Sequence, residues 1–415
     1  MEVVTEKPVK KSVPEGYRQT VLGVIPEDWE LTLLRDDVDL ISGRHVMSKY
    51  CNTDGYGMPY ITGPADFPNG EIEQNKFTNK PSSICKKYDI LVTVKGSGAG
   101  SIVLANDRYC ISRQLMAVRV NEFNYQYLFY QLKYNNGKLE QAATGLIPGL
   151  SRSDLLDLKI PTPTLEEQQA IAEALSDVDA LIAEVDALIK KKQQIKKGAM
   201  QQLLTGKKRL PGFDGKWEEK KLGELVIRNE LGGNYSNSKN RTSFPLIKMG
   251  NLNRGIINLD DLHYASNPSE VSERDRLDYG DLLFNTRNTP KLVGKVAVWR
   301  NELPKAYYNS NLMKLEFDEN YIASNFFMNY TMNTESFIEK LKSIATGTTS
   351  VAAIYTRDLF TLNISVPPKE EQKASSQILN DMDKEIQALQ SKRDKYQQIK
   401  QGMMQELLTG KTRLV

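Results

Sequence analysis

Gly410-Lys411-Thr412 looks like the end of a phosphate-binding loop, in which backbone N–H groups and a lysine surround a nucleotide. The spacing argues against it. That motif needs a glycine five residues before Gly410, and the position is Gln405. The preceding residues read as helix rather than strand, and a second copy, Gly206-Lys207-Lys208, lacks the hydroxyl that would hold a magnesium ion. Basic residues just past a glycine helix stop, at the negative end of the helix dipole, account for both copies. Gly96, Gly98 and Gly100 fall between two strand-like runs with no helix behind them to receive a pyrophosphate. They read as a hairpin loop whose N–H groups could touch a DNA phosphate. Cys51, Cys85 and Cys110 are scattered and odd in number, which points to a reducing, cytoplasmic compartment and away from disulfides or zinc. His45 and His263 alone supply imidazole. The pairs Asp36-Asp37 and Glu166-Glu167 read as capping or solvated charge, and Lys190, Lys191, Lys192, Lys196 and Lys197 as a solvated helix face. With no (N/D)PP(Y/F) methyltransferase motif and no complete Walker motif, the chain reads as one that binds rather than reacts.

The elements that would position such a binder are written into an internal repeat. Residues 160–210 and 364–414 align without a gap at a constant offset (364 − 160 = 204), with about half the positions identical. Repeats of this length are looked for first, because missing one misassigns the fold. Each copy reads as a long helix. Pro163, with Thr164 three residues before Glu167 as a capping box, opens the first; Pro367-Pro368 opens the second. Gly206 and Gly410 close them. Val178, Ile182, Val185 and Ile189, repeated as Met382, Ile386 and Leu389, form a stripe narrow enough to be a coiled-coil seam. It resumes at Ile195, Ala199 and Leu203, or Ile399, Met403 and Leu407. Gly198 and Gly402 sit at equivalent mid-helix positions, where each costs about 1 kcal/mol relative to alanine. Either close helix approach or a tolerated kink explains them.

Between the helices lie two modules. One opens at Trp29 in IPEDWEL and the other at Trp217 in DGKWEEKKL. Strand-like runs recur in the same order: 58–62, 89–94, 100–105 and 114–120 in the first, then 244–249, 281–286, 294–299 and 311–317 in the second. Helical stretches at 124–135 and 323–333 close them. The expected fold is α+β: two globular modules separated by two long helices that pair as an intramolecular antiparallel coiled coil with pseudo-two-fold symmetry. The divisions are 1–28 (lead-in), 29–160, 161–210, 211–364 and 365–415. At 415 residues, 40% hydrophobic and 26% charged, two or three domains are expected. Net charge +3 is compatible with nucleic acid without arguing for it. No apolar run approaches the roughly 18–20 residues of a membrane span, and the N-terminus lacks the apolar core of a secretory signal.

Two variable modules opening on tryptophan, each followed by a P-x-x-EEQ helix ending LLTGK-x-RL, resemble the specificity subunit of a Type I restriction–modification enzyme. The resemblance covers nearly the whole chain. It implies two target-recognition domains, each reading half of a bipartite, asymmetric site in double-stranded DNA, and conserved helices that act as spacer. It also implies two modification (methyltransferase) subunits and two restriction subunits as partners. S-adenosylmethionine, ATP and magnesium would then belong to those partners, with no catalytic or metal site and no cofactor in this chain. Loops on a rigid scaffold carry recognition, and base edges call for paired donors and acceptors. The expected DNA-binding residues are therefore Arg44, Lys49, Tyr50, Lys95, Ser97, Arg113 and Gln114 in the first module. In the second they are Asn234, Tyr235, Lys239, Asn240 and Arg241, then Arg287, Asn288 and Lys291, with Asn309 and Asn311. A coiled-coil adaptor that binds only protein, or the specificity portion of a fused methyltransferase or nuclease, are the alternatives.

Overall fold

The computed structural model describes residues 13–96, 98–143, 149–348 and 350–414. These fall into two compact units, Met1–Val185 with Lys392–Val415, and Asp186–Ser391. Neither unit is continuous in sequence, because each draws on both long helices.

The first unit is built on the run Ile90–Thr93, which is buried throughout. A strand alternates its faces, and here both faces are covered: Ile90 and Val92 belong to one apolar core, Leu91 to another. The run sits inside a four-stranded antiparallel sheet, in the order Ile102–Leu104, Ile90–Thr93, Leu115–Val120, Val38–Ser42. One face packs on the helix Tyr125–Tyr134 and on apolar residues of both long helices, among them Ile171, Leu175, Leu407 and Leu408. The other faces a five-stranded sheet that includes Met58–Ile61 and Tyr109–Ile111, paired parallel. An antiparallel hairpin, Tyr17–Thr20 with Gly23–Pro26, precedes the module.

The second unit repeats the plan. Its central run Leu282–Asn285 again sends Leu282 and Phe284 to one core and Leu283 to the other. The sheet order Val226–Leu231, Leu312–Phe317, Leu282–Asn285, Val296–Val298 matches the first. A second sheet carries Pro245–Ile247 parallel to Tyr307–Tyr308. Every strand-like run of the sequence is a strand, and both module helices form, capped by Asn124 and Ser324.

The long helices run Leu165–Leu203 and Lys369–Leu407, 39 residues each, or about 60 Å at 1.5 Å per residue. Gly206 and Gly410 follow them with φ +70°, the left-handed stop that glycine adopts without strain. In the first unit Asp179 pairs with Lys400 (2.6 Å); in the second Asp383 pairs with Lys196, and Lys192 with Glu385 (2.6 Å). Ascending numbers on one helix meet descending numbers on the other, so the pairing is antiparallel. Val185, Ile189 and Ile386 are buried in the expected stripe, with Val178, Ile182, Met382 and Leu389 half-buried. The continuation of the stripe holds in part. Leu407 is buried as expected and Ala199, Leu203 and Met403 are half-buried, whereas Ile195 and Ile399 are exposed, and Leu204 and Leu408 are also buried because the module cores collect the last turns. A Cβ added at Gly198 or Gly402 meets nothing within 4 Å, so close helix approach does not explain those glycines.

Candidate nucleic-acid interface

Each module is tied to the long helices by one repeated set of polar contacts. In the first unit the Trp29 indole donates to Glu167 (3.1 Å), a buried carboxylate at the start of one long helix. Arg413, beyond the end of the other, donates to both Glu167 oxygens (2.7 and 2.8 Å) and to Asp28 (2.9 and 2.8 Å). In the second unit Trp217 donates to Glu371 (3.1 Å), and Arg209 grips the same carboxylate (2.5 and 2.6 Å). The Glu166-Glu167 pair is thus not simply solvated charge. Thr164 accepts from the Glu167 N–H (3.3 Å) as a cap should, but the Glu167 side chain turns to Trp29 and Arg413 instead of closing a capping box. Gln168 and Gln372 accept from the N–H groups of Asn124 and Ala323 (2.9 and 2.8 Å). The EEQ motif is a docking plate for the module helix. Tyr130 and Tyr330 add a second tie, donating to Asp179 and Asp383 (2.8 Å each) under Lys400 and Lys196. Burial pushes both tyrosine hydroxyls well above their ordinary range, so they remain donors.

On this frame three loops of each module are held together by backbone bonds. In the first, Gly43 N–H donates to Leu115 (3.0 Å), Arg44 N–H to Ile111 (3.1 Å) and Val94 N–H to Gln114 (2.7 Å). In the second, Gly232 N–H donates to Leu312 (3.2 Å), Ser310 N–H to Gly233 (3.0 Å) and Thr286 N–H to Asn311 (3.1 Å). The approach needs glycine: a Cβ at Gly43 would lie 2.0 Å from the Ser112 carbonyl oxygen, and one at Gly232 2.2 Å from that of Tyr308. The crossing gathers Arg44, Lys95, Arg113 and Gln114 in one module, and Asn234, Arg287, Asn309 and Asn311 in the other. Arg44, Lys95, Arg113 and Gln114 are exposed, as are Asn234 and Arg287. Among the described residues the cations of these sets make no ion pair, nor do Arg241 and Lys291. Asn288 is half-buried on the short strand that Arg287 and Asn288 form against Ala352–Ala353.

Other expected residues lie apart from the crossing. Lys49 stands over the half-buried Tyr50 ring (5.1 Å to centroid), and so does Lys80 (4.9 Å), which no sequence pattern singled out. Lys239 is paired with Asp261 (2.8 Å), which holds that carboxyl below its usual range. Asn240 is exposed, its N–H on Ser238 (3.3 Å). Tyr235 donates to Asp275 and accepts from the Ser272 N–H (3.1 Å), so its hydroxyl is engaged inside the module. At the crossing itself, Asn309 accepts from the Asn311 N–H (3.3 Å), shaping the turn rather than reaching outward. Ser97 lies outside the described residues. No helix among them is long and apolar enough to cross a membrane.

The description "Type I restriction modification DNA specificity domain" matches residues 26–197 and again 214–401. The chain belongs to this family. It is a specificity subunit with two recognition domains. Along 94% of its length it is 28% identical to the Type I restriction enzyme MjaVIII specificity subunit of Methanocaldococcus jannaschii, covering 94% of that protein. The putative MjaX specificity subunit of the same organism is 35% identical over 47% of each chain. In fold it is similar to the S subunit of a Type I restriction–modification system from M. genitalium (TM-score 0.57, 19% identity, 91% of this chain and 96% of that one). It is also similar to a chain from a Type I system described for its complex assembly and conformational transition (TM-score 0.51, 18% identity, 94% and 99% covered). In a specificity subunit the two crossings are where a shared frame presents different side chains: Lys95 matches Arg287, Gln114 matches Asn311, and Arg113 matches Ser310.

Proposed function

We propose that each module of this specificity subunit reads one half of a bipartite, asymmetric DNA target through the loops at its crossing. The observation that carries this reading is the contrast within the repeat. The ties Trp–Glu–Arg and Tyr–Asp–Lys recur in both units, while the exposed residues at corresponding loop positions differ. A shared frame fixes position, and unequal side chains read unequal words. The long helices set the spacing between half-sites, as rigid elements do in other duplicated DNA binders. They also dock two methyltransferase and two restriction subunits. The chain itself is non-catalytic and acts in the cytoplasm; S-adenosylmethionine, ATP and Mg²⁺ serve the partner subunits.

Methylation mapping in cells expressing the chain with its modification subunit tests this. The expected result is one interrupted, non-palindromic motif. Methylation without sequence preference would favour the protein-binding adaptor instead, and methyl transfer by the chain alone would overturn the non-catalytic assignment.

A further inference from the structure

We infer that Arg254 and Lys295 form a seat for a DNA backbone phosphate, on the flank of the second module's recognition loop. The inference rests on the DNA-binding reading above. Residues Asn253, Arg254 and Gly255 lie against the hairpin of Leu282–Asn285 and Val296–Val298, with the Gly255 N–H donating to Val296 (2.7 Å). The two cations are laced reciprocally. Arg254 Nη1 donates to the carbonyl of Gly294 (3.2 Å), the neighbour of Lys295, and Lys295 Nζ donates to Asn253 Oδ1 (3.4 Å), the neighbour of Arg254. The base beneath them is firm: Asn329 and Asn333 donate to the carbonyls of Gly255 (3.4 Å) and Val296 (3.0 Å).

Both side chains are half-buried, and among the described residues each donates only to neutral oxygens. Burial lowers the affinity of each for its proton, and Arg254 adds repulsion at Lys295; no carboxylate contributes at either. In the same module Lys239 finds Asp261 and the half-buried Lys305 finds Glu273, whereas among the described residues Arg254 and Lys295 pair with no carboxylate. Two partly desolvated like charges with no counter-ion oppose folding, and a dianionic or monoanionic oxygen cluster relieves both costs. Position selects the ligand. Asn285 N–H donates to the Lys295 carbonyl (2.8 Å), which sets Lys295 across the hairpin two residues from Arg287. Phosphate contacts beside base-reading contacts fix register on a duplex. In the first module Ser101 holds the equivalent place, its carbonyl accepting from Thr93 (2.8 Å), and Asn69 aligns with Arg254. The seat therefore belongs to one module alone.

The test compares the full chain, alone and assembled with its methyltransferase subunits, with the double variant Arg254→Gln/Lys295→Gln. Binding of a random-sequence duplex is measured across a salt series. Each phosphate contact contributes a slope of about 0.9 in log K against log salt, so the double variant should lose about 1 to 2 units of slope. Its methylated motif should stay unchanged and its melting temperature should not fall. An unchanged slope with intact duplex binding overturns the seat. Failure of the wild-type assembly to bind any duplex overturns the DNA reading itself. Inorganic phosphate at matched ionic strength is the third arm: if it stabilises the wild type but not the variant while the slope is unchanged, the site takes free anion and the inference is wrong.

Discussion

Glu167 and its neighbour Glu166 differ by one position and by nearly everything physical. Glu167 is buried between Trp29 and Arg413, whereas Glu166 is exposed. Removing one partner of a buried charge pair leaves the other uncompensated. Glu167→Ala should therefore cost about 2–4 kcal/mol in urea unfolding, and Glu166→Ala within about 0.5 kcal/mol, as for ordinary surface changes. Equal costs would contradict the clamp. Asp28 adds a pH signature. The hydrogen bond from Arg413 lowers its pKa in the fold, so its stabilisation is complete above the ordinary aspartate value, near 4. It is lost as pH falls through the depressed value. Asp28→Asn should melt below wild type at pH 7, and the gap should narrow as the pH falls below the ordinary aspartate value. The aligned residue in the second unit is Lys216, and there Arg209 donates to the Gly215 carbonyl (2.9 Å) beside its bonds to Glu371, with Asp214 adding attraction. None of this was legible in sequence, because Glu167 meets partners 138 and 246 residues away.

At the scale of elements, legibility followed the covering of faces. The runs at 90–93 and 282–285 are apolar on both faces because a core lies on each, and they announced themselves as strands. The strand Val226–Leu231 is largely exposed and polar, and nothing in its pattern marked it out. The recognition residues were legible by type but not by company. Arg44, Lys95 and Arg113 come together only because Gly43 permits a backbone approach that spacing does not reveal. The long helices and their pairing were legible, and they run Leu165–Leu203 and Lys369–Leu407 inside the wider divisions 161–210 and 365–415, but their two glycines were not settled. Since a Cβ at Gly198 or Gly402 would find open space, alanine at either should raise stability by about 1 kcal/mol through helix propensity alone. Thermal unfolding of the single variants checks this, and a loss of stability would mean that the glycines preserve a bend.

For the whole molecule, the account divides labour between a repeated frame and two unrepeated sets of loops. Inserting four residues at equivalent places in both long helices should alter the spacing of the methylated motif and leave its two words intact. The most direct measurement is methylome mapping after exchange of residues 30–160 alone for those of a relative with a different target. One half of the motif should change, while the other half and the spacing remain. If both halves change together, the modules do not read independently and the central claim is wrong.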